Sequence, residues 1–398
     1  MKVLMVNKFL YPKGGAETYV LKLGQVLESH GHQVQYFGLE DERNVVGNRV
    51  GAYAKPRDFK AGIRANLTAP LSIIYNADAR RKIRKILDDF QPDVVHLNNI
   101  QFHLTPSIIL ETENYRRVTK RAVRIVYTAH DYQLICPSHG LFDTNVQICE
   151  KCISGNYLHC VRTKCVKNSF AKSVLGAMDA YWWTWSKAYS YIDTIICCSH
   201  FLKTKLDIQT RFQNKTTTIH NFVDEVEEST VVKNGYVLEF GHLCRDKGTY
   251  TLLEAARRMS DVRFVFAGYG EAESAIRNLS NAEYVGFKTG EELENLIREA
   301  TVSVYPSEWY ENCPFSVIES QMYLTPVIGS RMGGIPELIH EGETGELFDA
   351  GNADSLEKAL RKVLFTPGLA AQYSENCRNY QAETRETYYE KLMAVYGG

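Results

Sequence analysis

An alternation that occurs twice constrains this chain more than any other feature. In the first half, short apolar runs are separated by helix-length segments: "KVLMVN", "QVQYFG", "DVVHLN" (Asp93 to Asn98), "RIVYTAH" (Arg124 to His130), "DTIICCS" (Asp193 to Ser199) and "TTTIHN" (Thr216 to Asn221). The second half repeats the pattern with "YVLEFG" (Tyr236 to Gly241), "RFVFAG" (Arg263 to Gly268), "EYVG" (Glu283 to Gly286), "VSVYPS" (Val302 to Ser307) and "PVIGS" (Pro326 to Ser330). A strand covered on both faces reads as a continuous apolar run, because neither side of it meets water. Strands of that kind alternating with helices imply a parallel sheet between two helical layers. The pattern predicts two Rossmann-like, doubly wound α/β domains facing each other across a cleft. The expected domains are residues 1–221 and 222–380, divided near the acidic, polar stretch "NFVDEVEESTVVKNG". In open sheets of this type ligands bind outside the carboxyl ends of the strands, so the chemistry is expected in the loops that follow them.

At 398 residues the chain can build two cores. No apolar run reaches the roughly 20 residues that span a bilayer. The opening "MKVLMVNKF" reads as a first strand rather than a secretion signal. Ten cysteines without such a signal argue against a disulfide framework, and a cytoplasmic chain is expected. The net charge of −1 conceals an asymmetry. Met1 to Asn221 carries 30 Lys and Arg against 18 Asp and Glu, a balance of +12, and the remainder carries 16 against 29, a balance of −13. The basic half includes "RRKIRK" (Arg80 to Lys85) and the acid-free "VRTKCVKNSFAK" (Val161 to Lys172). It suits an anionic membrane surface or an acidic substrate, and equally a solvated basic face. Nucleic acid is not an expected partner.

Three strand-end segments carry chemistry. "GHLCRDKGTYTLL" brings Arg245 and Lys247 ahead of a helix opening at Gly248. Two cations at a helix start suit a diphosphate, and an ordinary charged βα loop is the equal alternative. "PKGGAETY" places Gly14 and Gly15 before a helix, where backbone N–H groups can approach an anion; Gly-Gly is also a common turn. "YENCPFSVIES" sets Glu311 and Glu319 eight residues apart, with a helix expected from Phe315 and Pro314 in its first turn. That spacing does not suit a glycosidase pair, whose carboxylates come from facing walls. It suits a polyhydroxylated ligand, with Glu311 accepting from sugar hydroxyls, Glu319 from a ribose, and the N–H groups around Pro314 to Ser316 meeting a phosphate. An exposed charged helix start is the plain alternative.

The Glu-x7-Glu after a strand, followed by "PVIGSRMGGIPELI" and "GETGELF", resembles the donor-binding region of the family-4 (group 1) retaining glycosyltransferases of GT-B fold. The early "GGAE", "AHDY" at a strand end and "IHNFVD" at the domain junction resemble the same family in the same order. The resemblance implies transfer of a sugar from a UDP- or GDP-linked donor to a glycan or lipid-linked acceptor, in the synthesis of cell-surface polysaccharide or glycolipid. It implies that Glu311 binds hydroxyls of the transferred sugar and Glu319 the nucleotide ribose, with Arg245 and Lys247 neutralising the diphosphate. Gly14 and Gly15 would close its other side, and Asn312, Pro314, Phe315 and Ser316 would complete the donor site. His130 would lie against the reacting sugar, with Asp131 placing it or the acceptor. A strand-end His that merely caps or fills a core is the alternative for His130. The chain departs from the family at His242, where an Arg commonly follows the strand glycine. No catalytic metal is implied, and the sequence contains no Asp-x-Asp. The helical segment "YYEKLMAVYGG" within residues 381–398 is expected, on the same resemblance, to cross back to the first domain. A nucleotide-sugar epimerase and a zinc-stabilised, non-catalytic scaffold are the rival readings.

An insertion at about 136–168 holds Cys149, Cys152, Cys160 and Cys165 as C-x2-C-x7-C-x4-C, with Cys136 and His159 nearby. Such clustering predicts a structural zinc site, or else buried free thiols or a redox-sensitive loop. Cys197 and Cys198 are expected in the core. The aromatic run "MDAYWWTWSKAYSYI" (Met178 to Ile192) reads either as a helix packed on the sheet or, with the basic stretch before it, as a peripheral membrane contact on the cytoplasmic face.

Overall fold

The computed structural model describes residues 1–56, 74–144, 147–224, 232–380 and 382–397. The chain forms two compact units, Met1–His220 with Arg385–Gly398, and Asn221–Thr384. Of the expected boundary stretch, residues 225–231 lie outside the described residues.

The first unit holds six parallel strands: β1 (Lys2–Val6), β2 (Gln33–Phe37), β3 (Val94–Leu97), β4 (Arg124–Ala129), β5 (Thr194–Cys197) and β6 (Thr216–Thr218), in the order β2-β1-β3-β4-β5-β6. Val3 pairs with Val34 on one side and Val94 on the other, so β1 is an interior strand, buried from Val3 to Val6. The chain first winds outward to β2 and then returns to the far side of β1 to lay down β3. The winding reverses between β1 and β3, and their carboxyl ends flank a crevice.

Helices α1 (Gly15–Ser29), α2 (Ala77–Phe90), α3 (Ser107–Thr119) and α4 (Phe170–Trp185) belong to this unit. The sequence accounts for α2 directly. Ala79, Ile83, Ile86, Leu87 and Phe90 recur at helical spacing and are buried, while the Asn76 side chain accepts from the Ala79 N–H at 2.9 Å and caps the start. Arg80 and Arg84 of the "RRKIRK" run lie on this helix and are tied to carboxylates, Arg80 to Glu111 at 2.6 Å and Arg84 to Asp88 at 2.9 Å.

The second unit repeats the scheme with β7 (Tyr236–His242), β8 (Arg263–Tyr269), β9 (Ala282–Gly286), β10 (Val302–Tyr305), β11 (Val327–Ser330) and β12 (Gly345–Phe348), all parallel and ordered β12-β11-β10-β7-β8-β9. Its switch point lies between β7 and β10. Helices α5 (Thr249–Arg258), α6 (Phe315–Met322) and α7 (Ala353–Phe365) cover it, with a core built from Val237, Leu252, Phe264, Phe266, Val304 and Leu360 among others. Strand β12 goes beyond the sequence reading, which took "GETGELF" only as a motif. Glu346 masks its apolar pattern, yet the carboxylate is buried and held by Lys362 Nζ at 2.5 Å and the Tyr373 hydroxyl at 2.5 Å.

The last helix, α8 (Arg385–Gly397), belongs to the first unit, where it buries Tyr388, Leu392 and Tyr396. Among the described residues no helix is long and apolar enough to cross a membrane.

Candidate functional site

Each unit gathers polar residues at its own switch point. In the second unit the loop after β7 turns at Gly248, whose φ is +77° and where a Cβ would lie 1.9 Å from the Pro306 carbonyl oxygen. Only glycine permits that approach, and it brings the β7 and β10 loops together. Lys247 Nζ forms an ion pair with Glu311 Oε1, and the Ser307 hydroxyl donates to the same carboxylate oxygen at 3.1 Å. The Lys247 ammonium also lies 4.9 Å from the centre of the Trp309 ring. Glu311 is buried. Gly333, at φ +60°, packs so closely that a Cβ would stand 2.1 Å from the Glu311 carbonyl oxygen, and the Gly334 N–H donates to that oxygen at 2.7 Å. Thus "RMGGIPELI" positions Glu311 through the backbone.

Helix α6 begins at Phe315 as the sequence predicts, but Pro314 is its extended N-cap residue rather than part of the first turn, and no side chain caps that turn. Asn312 and Pro314 are buried, whereas Phe315, Ser316 and Glu319 are half-buried. Arg245 is exposed, its guanidinium 5.1 Å from the Tyr250 ring centre, and its own N–H donates to Glu271 at 3.2 Å. Lys247, and not Arg245, is therefore the cation brought to Glu311.

Two neighbours were not legible in the sequence. Glu239, in the middle of β7, is buried and accepts from the Thr249 hydroxyl at 2.8 Å. Burial pushes its carboxyl up to about 8, and its second oxygen meets no partner among the described residues. Tyr305, at the end of β10, has its phenol held well above the usual range, first by burial and then by the Glu311 carboxylate beside it.

The first unit builds its cluster from amides and an imidazole around one buried carboxylate. Gly14 and Gly15 are exposed at the start of α1, Gly14 in an extended conformation. The Glu17 carboxylate behind them is buried and accepts from Asn7 Nδ2 at 3.3 Å, while Asn7 Oδ1 accepts from the Asn99 N–H at 3.1 Å. His130 follows β4, its Nε2 2.9 Å from Asn98 Oδ1, with the Tyr19 ring edge-on at 4.8 Å between centroids. Burial, and then the Lys8 ammonium, push the imidazole down to about 3, so it is neutral. Asp131 accepts from the Gln133 N–H at 2.8 Å and so fixes the turn after His130. Asn7, Asn98 and Asn99 escaped the sequence reading because strand-end asparagines resemble ordinary turn residues.

The zinc expectation finds no support. Among the described residues no group of three or more His, Cys, Asp or Glu is placed to hold a metal ion. Cys160 and Cys165 contact each other, Sγ to Sγ at 3.0 Å, and pack with Cys152, Tyr157 and Ala177 as an apolar cluster. Cys149 is only half-buried, its N–H donating to the Leu141 carbonyl at 2.8 Å. Cys197 and Cys198 are core residues.

Residues 13–227 match the family model described as Glycosyltransferase Family 4, and residues 224–380 the model described as Glycosyl transferases group 1. A Klebsiella pneumoniae protein, described as an uncharacterised 42.6 kDa protein in the cps region, is 24% identical over 359 residues, 85% of this chain and 87% of that one. Sucrose-phosphate synthase of Thermosynechococcus elongatus superposes with a TM-score of 0.70 at 16% identity, covering 99% of this chain and 98% of that one. HepE of Anabaena, solved with UDP and glucose, superposes with a TM-score of 0.66 at 15% identity, covering 100% and 99%. At such identities the likeness carries the fold, which is GT-B.

Proposed function

The chain belongs to the group 1 glycosyltransferases of family 4, and from that premise we propose that it transfers a sugar, with retention at the anomeric carbon, from a nucleotide diphosphate to a glycan or lipid-linked acceptor. The observation that carries this reading is the Lys247–Glu311 pair beside Ser307, at a strand switch point and just ahead of the uncapped start of α6. Donor binding separates the pair. The ammonium turns to the diphosphate and the carboxylate to hydroxyls of the sugar, while Glu319, four residues into the helix from Phe315, accepts from the ribose. The N–H groups at Phe315 and Ser316 meet the distal phosphate.

As the glycosidic bond breaks, positive charge grows on the sugar ring and negative charge on the departing phosphate oxygen. Lys247 and the helix start are preorganised for the second of these and stabilise it more in the transition state than in the ground state. The acceptor hydroxyl enters on the face that the phosphate leaves, and the phosphate takes its proton. His130, kept neutral, contributes hydrogen bonding to the reacting sugar without placing a second charge beside the oxocarbenium ion, and Asp131 holds the turn that presents it. Gly14 and Gly15 leave backbone room for the diphosphate.

The UDP and glucose bound to HepE make UDP-hexoses the first donors to try, and the cps-region relative supports a role in surface polysaccharide. Calorimetry against a panel of UDP- and GDP-sugars tests the reading. One donor should bind selectively, and Glu319→Ala should weaken it by about tenfold or more, the loss of a charged hydrogen-bond pair. Folded protein that binds no nucleotide sugar at millimolar concentration would defeat the proposal. Conversion of the free donor without an acceptor would move the chain to the epimerases.

A further inference from the structure

Helix α4 (Phe170–Trp185) carries an apolar stripe on the side that faces solvent. Phe170, Met178, Tyr181, Trp182 and Trp185 are all exposed, Phe170 by 60% and Trp185 by 76%. At about 100° per residue these five fall within an arc of roughly 120°. The opposite side, with Ser173, Gly176, Ala177, Asp179 and Trp183, is buried. Packing within the unit thus accounts for the buried side and leaves the apolar stripe on the other side unexplained.

The charges next to the stripe in sequence have one sign. Arg162, Lys164, Lys167, Lys172 and Lys187, in and on either side of the helix, are exposed. From Leu158 to Lys187 the single acidic residue is Asp179, which is buried and accepts from the Trp183 indole N–H at 2.9 Å. The other basic run differs, since Arg80 and Arg84 are occupied by carboxylates.

We propose that this face of α4 docks on an anionic lipid bilayer, the aromatic stripe entering the interface and the surrounding cations meeting lipid phosphates. Two indoles whose ring centroids lie 5.5 Å apart suit the headgroup level, where an apolar body and an N–H are both satisfied. A second copy of the chain is the poorer occupant, because a symmetric contact would set this basic face against itself. The proposal is independent of the transferase reading, since lipid binding needs neither donor nor acceptor.

The test is cosedimentation of the full chain with vesicles of phosphatidylcholine alone and of phosphatidylcholine mixed with phosphatidylglycerol. The protein should bind the mixed vesicles selectively, with weakening in high salt and a blue shift of tryptophan fluorescence. Replacing Lys164, Lys167 and Lys172 together by Gln should weaken binding on the order of a hundredfold. Trp182→Ser with Trp185→Ser should weaken it by about tenfold or more with the thermal transition unchanged, because both side chains are exposed. No binding by the unaltered chain, equal binding to both vesicles, or full binding by the Trp variant would overturn the proposal. So would a concentration-dependent dimer in light scattering that the Trp variant abolishes, which would give the face to a second copy.

Discussion

At the switch point of the first sheet stand Asn7, Asn98, Asn99 and an imidazole that burial keeps neutral; at that of the second stand an ammonium and a carboxylate joined as an ion pair. In both sheets the first strand is interior and the winding reverses beside it, although one strand lies outboard of β1 and two lie outboard of β7. The winding therefore fixes where polar groups collect but not which ones. In the first unit, amides and a neutral imidazole do most of the hydrogen bonding, and the cluster's one buried carboxylate, Glu17, accepts from Asn7 with no cation paired to it among the described residues. In the second, backbone approaches at Gly248 and Gly333 press charged side chains together. A cluster of neutral donors and acceptors suits hydroxyl groups, and a charged one suits a diphosphate.

The largest effect is expected from Lys247→Ala. If charge handling belongs to the second unit, turnover should fall by about 10²–10³, the range for removing one preorganised group that stabilises developing charge. Donor affinity should fall with it, whereas His130→Asn should lower turnover and leave donor affinity within about twofold. Steady-state kinetics with calorimetry on both variants checks this. Equal loss of donor affinity in the two would break the division. The thermal transition of Lys247→Ala must be followed too, because Glu311 loses the partner that offsets its burial.

The fold was readable because strands buried on both faces leave an unbroken apolar run, and Phe315 was readable as a helix start because Pro314 precedes it. Glu311 and Lys247 could be singled out as strand-end charges. That they touch, and that Arg245 turns instead toward Tyr250, depends on two loops 64 residues apart in sequence. The glycines that create this contact were illegible as such, since each requirement is set by a backbone oxygen in another loop, Pro306 for Gly248 and Glu311 for Gly333. Glu239 was hidden in an apolar strand, where a lone glutamate reads as a solvent-facing position. The zinc expectation is unsupported for the converse reason: Cys spacing in sequence is a necessary condition for a ligand set, and convergence on one point is a separate one, which no group of three or more His, Cys, Asp or Glu among the described residues meets.

Stability against pH sharpens the comparison at the next smaller scale. Burial lowers His96 and His130 to about 3, far below the ordinary 6.5, so between those values the unfolded chain binds more protons and the first unit gains stability as pH rises. Asp179, pushed up to about 7, opposes this within the same unit, and the two histidines outweigh it between pH 5 and 6.5. Glu239 in the second unit has the reverse sign. Its carboxyl is raised from 4.5 to about 8, so the folded form holds the proton and stability is lost as pH rises through that window, by at most about 1.4 kcal/mol per pH unit. Glu239→Gln keeps an acceptor for Thr249 and removes the titration, so it should flatten the slope. Urea unfolding can separate the units, because Trp182, Trp183 and Trp185 lie in the first and Trp309 in the second. Unfolding followed by fluorescence in a Trp309→Phe background reports the first unit, and Trp309 alone the second. Parallel pH slopes in the two units, or an unaltered slope in Glu239→Gln, would show that these buried groups do not govern the response.

The smallest effect concerns how the end of the chain supports the neutral cluster. Tyr388 on α8 reaches Tyr19, hydroxyl to hydroxyl at 2.5 Å, across 369 residues of sequence. Tyr19 is in turn 3.2 Å from the Thr128 hydroxyl, which meets His96 Nε2 at 2.7 Å, and His96 Nδ1 meets the Tyr396 hydroxyl at 2.6 Å. The Tyr19 ring that α8 steadies is the one lying against His130. Tyr388→Phe keeps the packing and removes one hydroxyl from this relay. It should cost about 1 kcal/mol in the unfolding of the first unit, as expected for a single buried hydrogen bond. Donor affinity should not change, because nothing in the charged cluster of the second unit is touched. Turnover should fall by a few-fold at most through a looser Tyr19 behind His130, whereas Tyr19→Ala, which removes the ring as well, should lower it further. A Tyr388→Phe variant that weakened donor binding while leaving the first unit's stability intact would mean that α8 serves the charged cluster, and the division between a neutral and a charged switch point would have to be redrawn.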